Sequence, residues 1–77
     1  MRAREIVKVI MDTFGITNAA MASRLKISQA ALWDRLNNKK VKDIPVSTLS
    51  EMLRALDYKV VIVPRGSRVP EGGYEVE

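Results

Sequence analysis

The chain is predicted to fold as a mainly α domain, four short helices over residues 1–57, followed at 58–77 by a C-terminal β-strand or loose β-hairpin. Three observations carry this prediction. Apolar residues recur at helical spacing in four stretches up to Leu56, good capping residues stand before the two central stretches, and β-branched residues crowd together after Asp57. With 77 residues, 47% hydrophobic and 29% charged, the composition is globular, yet a domain this small has a marginal core that pairing of two copies would strengthen.

The first helix is expected over Arg2–Phe14, where Ile6, Val9, Ile10 and Phe14 are spaced to pack inward and Gly15 stops the helix. Arg2, Arg4 and Lys8 fall on its outer side. A second helix follows at roughly 18–25, with Thr17 as N-cap and Met21 one turn before Leu25. Ser28 is a second N-cap, and Ala31, Leu32 and Leu36 give the third helix, running to about Asn37, its apolar stripe. Only Lys26 and Ile27 separate these two helices from the second cap, so they must cross steeply, with Met21, Ala22 and Leu25 against Ile27, Leu32 and Leu36. A polar, basic loop, NNKKVKDIP, closes at Pro45. The fourth helix, Val46–Leu56, has Ser47 as its expected N-cap and Leu49, Met52, Leu53 and Leu56 at i, i+3, i+4 and i+7.

The face of the third helix that turns away from Leu32 and Leu36 is unusual for a solvated helix. It is expected to carry Gln29, Ala30, Trp33, Asp34 and Asn37, with hardly any Lys or Glu. Such a face suits base edges in a DNA groove: Gln can bond adenine N6 and N7 together, and the Ala30 methyl can touch a thymine methyl. Cations to hold phosphates stand nearby, at Arg24, Lys26, Arg35, Lys39, Lys40 and Lys42. Charge is also uneven along the chain. Residues 1–45 hold nine Lys/Arg against four Asp/Glu, or +5, and residues 46–77 hold four against five, or −1.

The run TNAAMASRLKISQAALWDRLNNKK resembles the helix-turn-helix of the phage repressor and Cro type, the XRE-like family, and the resemblance covers roughly residues 3–57. It implies a four-helix helix-turn-helix bundle with the helix 28–37 in the major groove. Carried over, it sets Ser28, Gln29, Ala30 and Asp34 to read bases and Asn18 to hold a phosphate, with Asn37 at the DNA backbone. Thr17, Trp33, Lys39, Lys40 and Lys42 are expected at the backbone as well. Three positions depart from the family pattern: Lys26 replaces the turn Gly, Arg35 replaces an apolar residue, and Asn38 replaces the Gly that ends the recognition helix, where a left-handed Asn38 is expected.

Bland readings compete at several of these positions. Trp33 lies about 60° from Leu36, so it is either a half-buried core edge or a backbone contact. Asp34 is either a solvated acid beside Arg35 or an acceptor for cytosine N4. Lys39, Lys40 and Lys42 taken alone would be a solvated loop.

In the C-terminal segment, YKVVIVP reads as a strand ended by Pro64, and YEVE alternates as a strand would, returning onto 59–63. A strand with Val60, Val61, Ile62 and Val63 in a row needs cover on both faces and has open edges, so Tyr58 and Val60–Val63 are the expected interface of a homodimer. The combined reading is a sequence-specific, double-stranded DNA-binding regulator, a homodimeric repressor of a palindromic operator. The alternative is an antitoxin-like or adaptor module that also grips a second protein through residues 65–77. Without His or Cys, and without a Gly-rich phosphate loop, no enzyme, metal or cofactor is expected. No apolar run approaches 18 residues, so no membrane is expected either, and the cytoplasm is the expected compartment.

Overall fold

The computed structural model describes residues 1–40 and 42–77; Val41, in the basic loop, lies outside them. Among the described residues four helices occupy the places that the apolar periodicity assigns, α1 (Ala3–Thr13), α2 (Asn18–Leu25), α3 (Gln29–Asn37) and α4 (Val46–Ala55), but Phe14, beyond the end of α1, and Ala31 are exposed and not on the inner stripes expected of them. Helices α1 and α2 each pack against both α3 and α4. At the centre Val7, Ile10, Met21, Leu32 and Met52 are almost fully buried, one or two from each helix, so every helix contributes to a single core. None of the helices among the described residues is long and apolar enough to cross a membrane.

Local chemistry explains where the helices begin. The Thr17 hydroxyl accepts from the Ala20 N–H at 3.1 Å and the Ser28 hydroxyl from the Ala31 N–H at 3.0 Å, as N-caps of α2 and α3. Ser47 does not cap α4: Pro45 stands at the N-cap position and Ser47 lies inside the first turn. Proline's fixed φ suits the entry to a helix, which starts α4 two residues earlier than a serine cap would.

One device ends three of the helices. After α1 the Gly15 N–H donates to the Asp12 carbonyl and the Ile16 N–H to the Met11 carbonyl, with Gly15 left-handed at φ 66°. The same pair of bonds follows α2, from Lys26 to Ser23 and from Ile27 to Ala22, and α4, from Asp57 to Arg54 and from Tyr58 to Leu53. Each time the residue after the turn, Ile16, Ile27 or Tyr58, comes back half-buried onto the core. Lys26 (φ 57°) and Asp57 (φ 63°) therefore hold a conformation that suits glycine. Lys26→Gly should stabilise the fold by about 0.5 to 1 kcal/mol, since relief of left-handed strain outweighs the extra freedom of the unfolded chain. Urea unfolding would show this as a raised midpoint with an unchanged slope.

The expected C-terminal strand is not formed. Among the described residues, 58–77 contain no strand, and the segment instead makes an extended arm with two reverse turns, closed by Ser67 N–H to Pro64 O at 3.2 Å and Gly73 N–H to Pro70 O at 2.8 Å. The second turn is why no hairpin closes onto 59–63. It redirects the chain so that its last residues reach Met1: the Glu77 N–H donates to the Met1 carbonyl at 3.0 Å, and the Met1 ammonium donates to the Glu75 carbonyl at 3.3 Å. Pro64 and Pro70 also lack the N–H a ladder would need. Val60, Val61, Ile62 and Val63 stay exposed in the single chain, Ile62 almost completely at 98%.

Candidate nucleic-acid interface

Helix α3 is built with two unlike sides. Leu32 and Leu36 are buried and hold it to the core, while Ser28, Gln29, Ala30, Ala31, Trp33 and Asp34 are exposed. The four residues expected to read bases are thus all exposed, three of them in succession at the helix's N-terminal end and Asp34 further along it. Trp33 lies outward with 58% of its surface exposed, so of its two readings the core edge is the one its placement disfavours. Thr17 and Asn18, at the start of α2, are exposed, as are Lys39, Lys40 and Lys42 beyond α3.

Asn37 is in a different position from the others. It is half-buried, its Oδ1 accepts from the Lys8 ammonium at 2.7 Å, and its Nδ2 donates to the Trp33 carbonyl at 3.0 Å. The bond from Lys8 ties the C-terminal turn of α3 to α1, and the one to Trp33 stays within α3. Asn38, expected to be left-handed, is instead extended at φ −68° and ψ 109°. The reason is local and tertiary at once: its Oδ1 accepts the Lys40 N–H at 2.9 Å, and its carbonyl accepts from the Arg4 guanidinium at 2.8 Å.

Arg4 was expected on the outer side of α1, and the structure reverses that expectation. It is only 9% exposed, between Asn38 and Asp43. Asp43 in turn caps α1 from 40 residues away, its Oδ2 accepting the Ala3 N–H at 2.7 Å and its Oδ1 the Arg4 N–H at 3.0 Å. Arg2 at the N-cap position makes no side-chain hydrogen bond to the helix end; the bond nearest to a local cap is from the Arg2 N–H to Glu5 at 3.1 Å. Helix α1 therefore borrows its cap from the loop that follows α3. Burial alone would raise the Asp43 carboxyl above its ordinary 3.8, but hydrogen bonds from the Ala3, Ile44 and Arg4 N–H groups, with the nearby Arg4 charge, outweigh it and leave the net shift downward. The signal in the sequence was faint: a helix opening on Ala-Arg without a Ser, Thr, Asp or Asn before it has to find its acceptor elsewhere.

Two of the basic residues near the turn are also employed within the fold. The Arg24 guanidinium donates to the Ala55 carbonyl at 3.2 Å, closing the C-terminal end of α4. Arg35 is half-buried, with its Nη1 enclosed by protein. Lys26, Lys39, Lys40 and Lys42 are exposed. No protein-family model matches the chain, and neither a curated protein nor a solved structure does.

Proposed function

We propose that the chain is a sequence-specific regulator that binds double-stranded DNA as a homodimer, with α3 in the major groove. The observation that supports this best is the exposed face of α3. It offers Ser28, Gln29, Ala30 and Asp34 together, above a side held rigidly by Leu32 and Leu36, so the groups that would meet base edges ride on a fixed element. Thr17 and Asn18 at the start of α2, Trp33 on α3 and Lys39, Lys40 and Lys42 beyond it would meet the sugar-phosphate backbone. Asn37 contributes indirectly in this reading, because its amide is engaged with Lys8 and sets the angle of α3 against α1. Two copies related by a two-fold axis would read two half-sites about one helical turn apart, roughly 34 Å, and so require an approximately palindromic operator. Occlusion of a promoter by such a dimer would make it a repressor.

Gln29→Ala tests the reading. The variant removes a two-bonded base contact without changing charge or core, and should weaken binding to a selected site about 5- to 150-fold, the equivalent of 1 to 3 kcal/mol, while leaving random duplexes nearly unaffected. Sites selected from random DNA and titrated by fluorescence anisotropy would measure both. Equal losses on selected and random DNA would remove Gln29 from base recognition, and no duplex binding at moderate salt would end the proposal.

A further inference from the structure

The C-terminal arm leaves a specific vacancy. Its outgoing leg, 59–63, and its returning segment, 68–76, form two sides of one open cleft of about 890 Å³, beneath which lie the buried Ile6 and Ile10 of α1 and Leu49 and Leu53 of α4. Val60–Val63, Val69 and Val76 expose apolar surface on the arm. Among the described residues, the arm's backbone hydrogen bonds beyond Tyr58 are those of its two turns and of its end with Met1, so both legs present open donors and acceptors. A strand of five residues, at about 3.3 Å rise, 4.8 Å strand spacing and 10 Å layer spacing, occupies on the order of 800 Å³. The cleft has room for one such strand.

Charge says which strand. The outgoing leg and the turn after it carry Lys59 and Arg65 with no acid, and from residue 68 on the chain carries Glu71, Glu75 and Glu77 against the single base Arg68. A basic apolar strand laid beside the returning segment would meet opposite charge, and the chain itself contains one, residues 59–63 with the cations that follow. We infer that the cleft receives the outgoing leg of a second copy, and that the exchange is reciprocal about a two-fold axis. The basic half of each arm then lies along the acidic half of the other, and the exposed valines of both are covered in one step. Each outgoing leg then lies between the two legs of the other copy, with its apolar side chains against the other outgoing leg and its cations along the other returning segment. The inference rests on the homodimer in the proposed function but not on DNA, and its test contains none.

Sedimentation of the full chain, free of DNA, at micromolar concentration and low salt should give a dimer. Lys59→Glu with Arg65→Glu, or Glu71→Lys with Glu75→Lys, places like charges across both copies of the contact, so each double variant should weaken the dimer about tenfold or more. All four substitutions together restore opposite signs and should return the dimer to near wild-type strength. All four side chains belong to exposed residues, so circular dichroism should stay that of the folded chain. A wild-type monomer across the range, double variants that dimerise as wild type does, or a quadruple variant that fails to recover would each overturn the exchange. A dimer that follows the predicted pattern yet binds no duplex would leave it standing and remove only the DNA reading.

Discussion

Leu32→Ala is expected to bring the domain close to unfolding. Leu32 has no exposed surface and sits on the inner side of α3, under the face that would meet DNA. Its truncation removes the apolar transfer free energy of the lost atoms and leaves a void among side chains of neighbouring helices, for a combined cost of about 3 kcal/mol. A domain of this size has on the order of 4 to 11 kcal/mol in all, so the loss is a large fraction of its stability. Urea denaturation followed by circular dichroism should show the midpoint falling steeply. Ala31→Ser, an exposed neighbour on the same helix, should change stability by less than about 0.5 kcal/mol. If both variants unfold at the wild-type midpoint, α3 is not held by its buried side in the way described.

Asp43→Ala should have the second largest effect, about 2 to 3 kcal/mol at neutral pH. The carboxylate accepts from two N–H groups at the start of α1 and from its own neighbour Ile44, and it faces the buried Arg4. Losing a cap costs about 1 to 2 kcal/mol, and leaving Arg4 with one less acceptor adds to it. The pH dependence follows from the lowered folded pKa. The unfolded chain takes up a proton near the ordinary 3.8, while the folded one resists until lower pH. The stabilisation is therefore complete above that ordinary value and disappears as the pH falls through the folded one. Wild type and Asp43→Ala should differ most above about pH 5 and converge in strong acid. A gap that stayed constant from pH 7 to pH 2.5 would show that Asp43 acts through packing and not through its charge. Because Asp43 lies in the loop beyond α3, the same variant should loosen Lys39, Lys40 and Lys42 as well.

The helices were legible because their causes are local. Thr17 and Ser28 cap within three residues, Met21 and Leu25 or Leu49 and Leu53 share a face by spacing alone, and Gly15 stops α1 where it stands. Most of the exposed face of α3 was legible for the same reason: once Leu32 and Leu36 point inward, the positions of Ala30, Trp33 and Asp34 follow from 100° per residue, whereas Gln29, two turns before Leu36 and in nearly the same direction, is exposed because it is the first residue of the helix. The left-handed turn at Lys26, between α2 and α3, was not legible from its own residue, because a lysine is not the side chain such a turn prefers; only the resemblance, in which Lys26 replaces the turn glycine, pointed to it.

Periodicity, caps and turn positions, all interactions over four residues or fewer, are what the amino-acid sequence determined by itself, and they set four helices, a buried stripe on each and one polar face on α3. The tertiary structure alone decided what depends on residues far apart in the chain. Arg4 looked solvent-facing from its helical position, and only the arrival of Asn38 and Asp43, more than 30 residues on, made burying its charge affordable. Asn37 turned from an outward position toward Lys8 for the same reason. The arm shows the limit most clearly. Four consecutive β-branched residues announce a strand, but a strand is a pairing and not a property of one segment, and within a single copy the turn at Pro70–Gly73 carries the returning segment to Met1 and leaves the outgoing leg without an edge to bond.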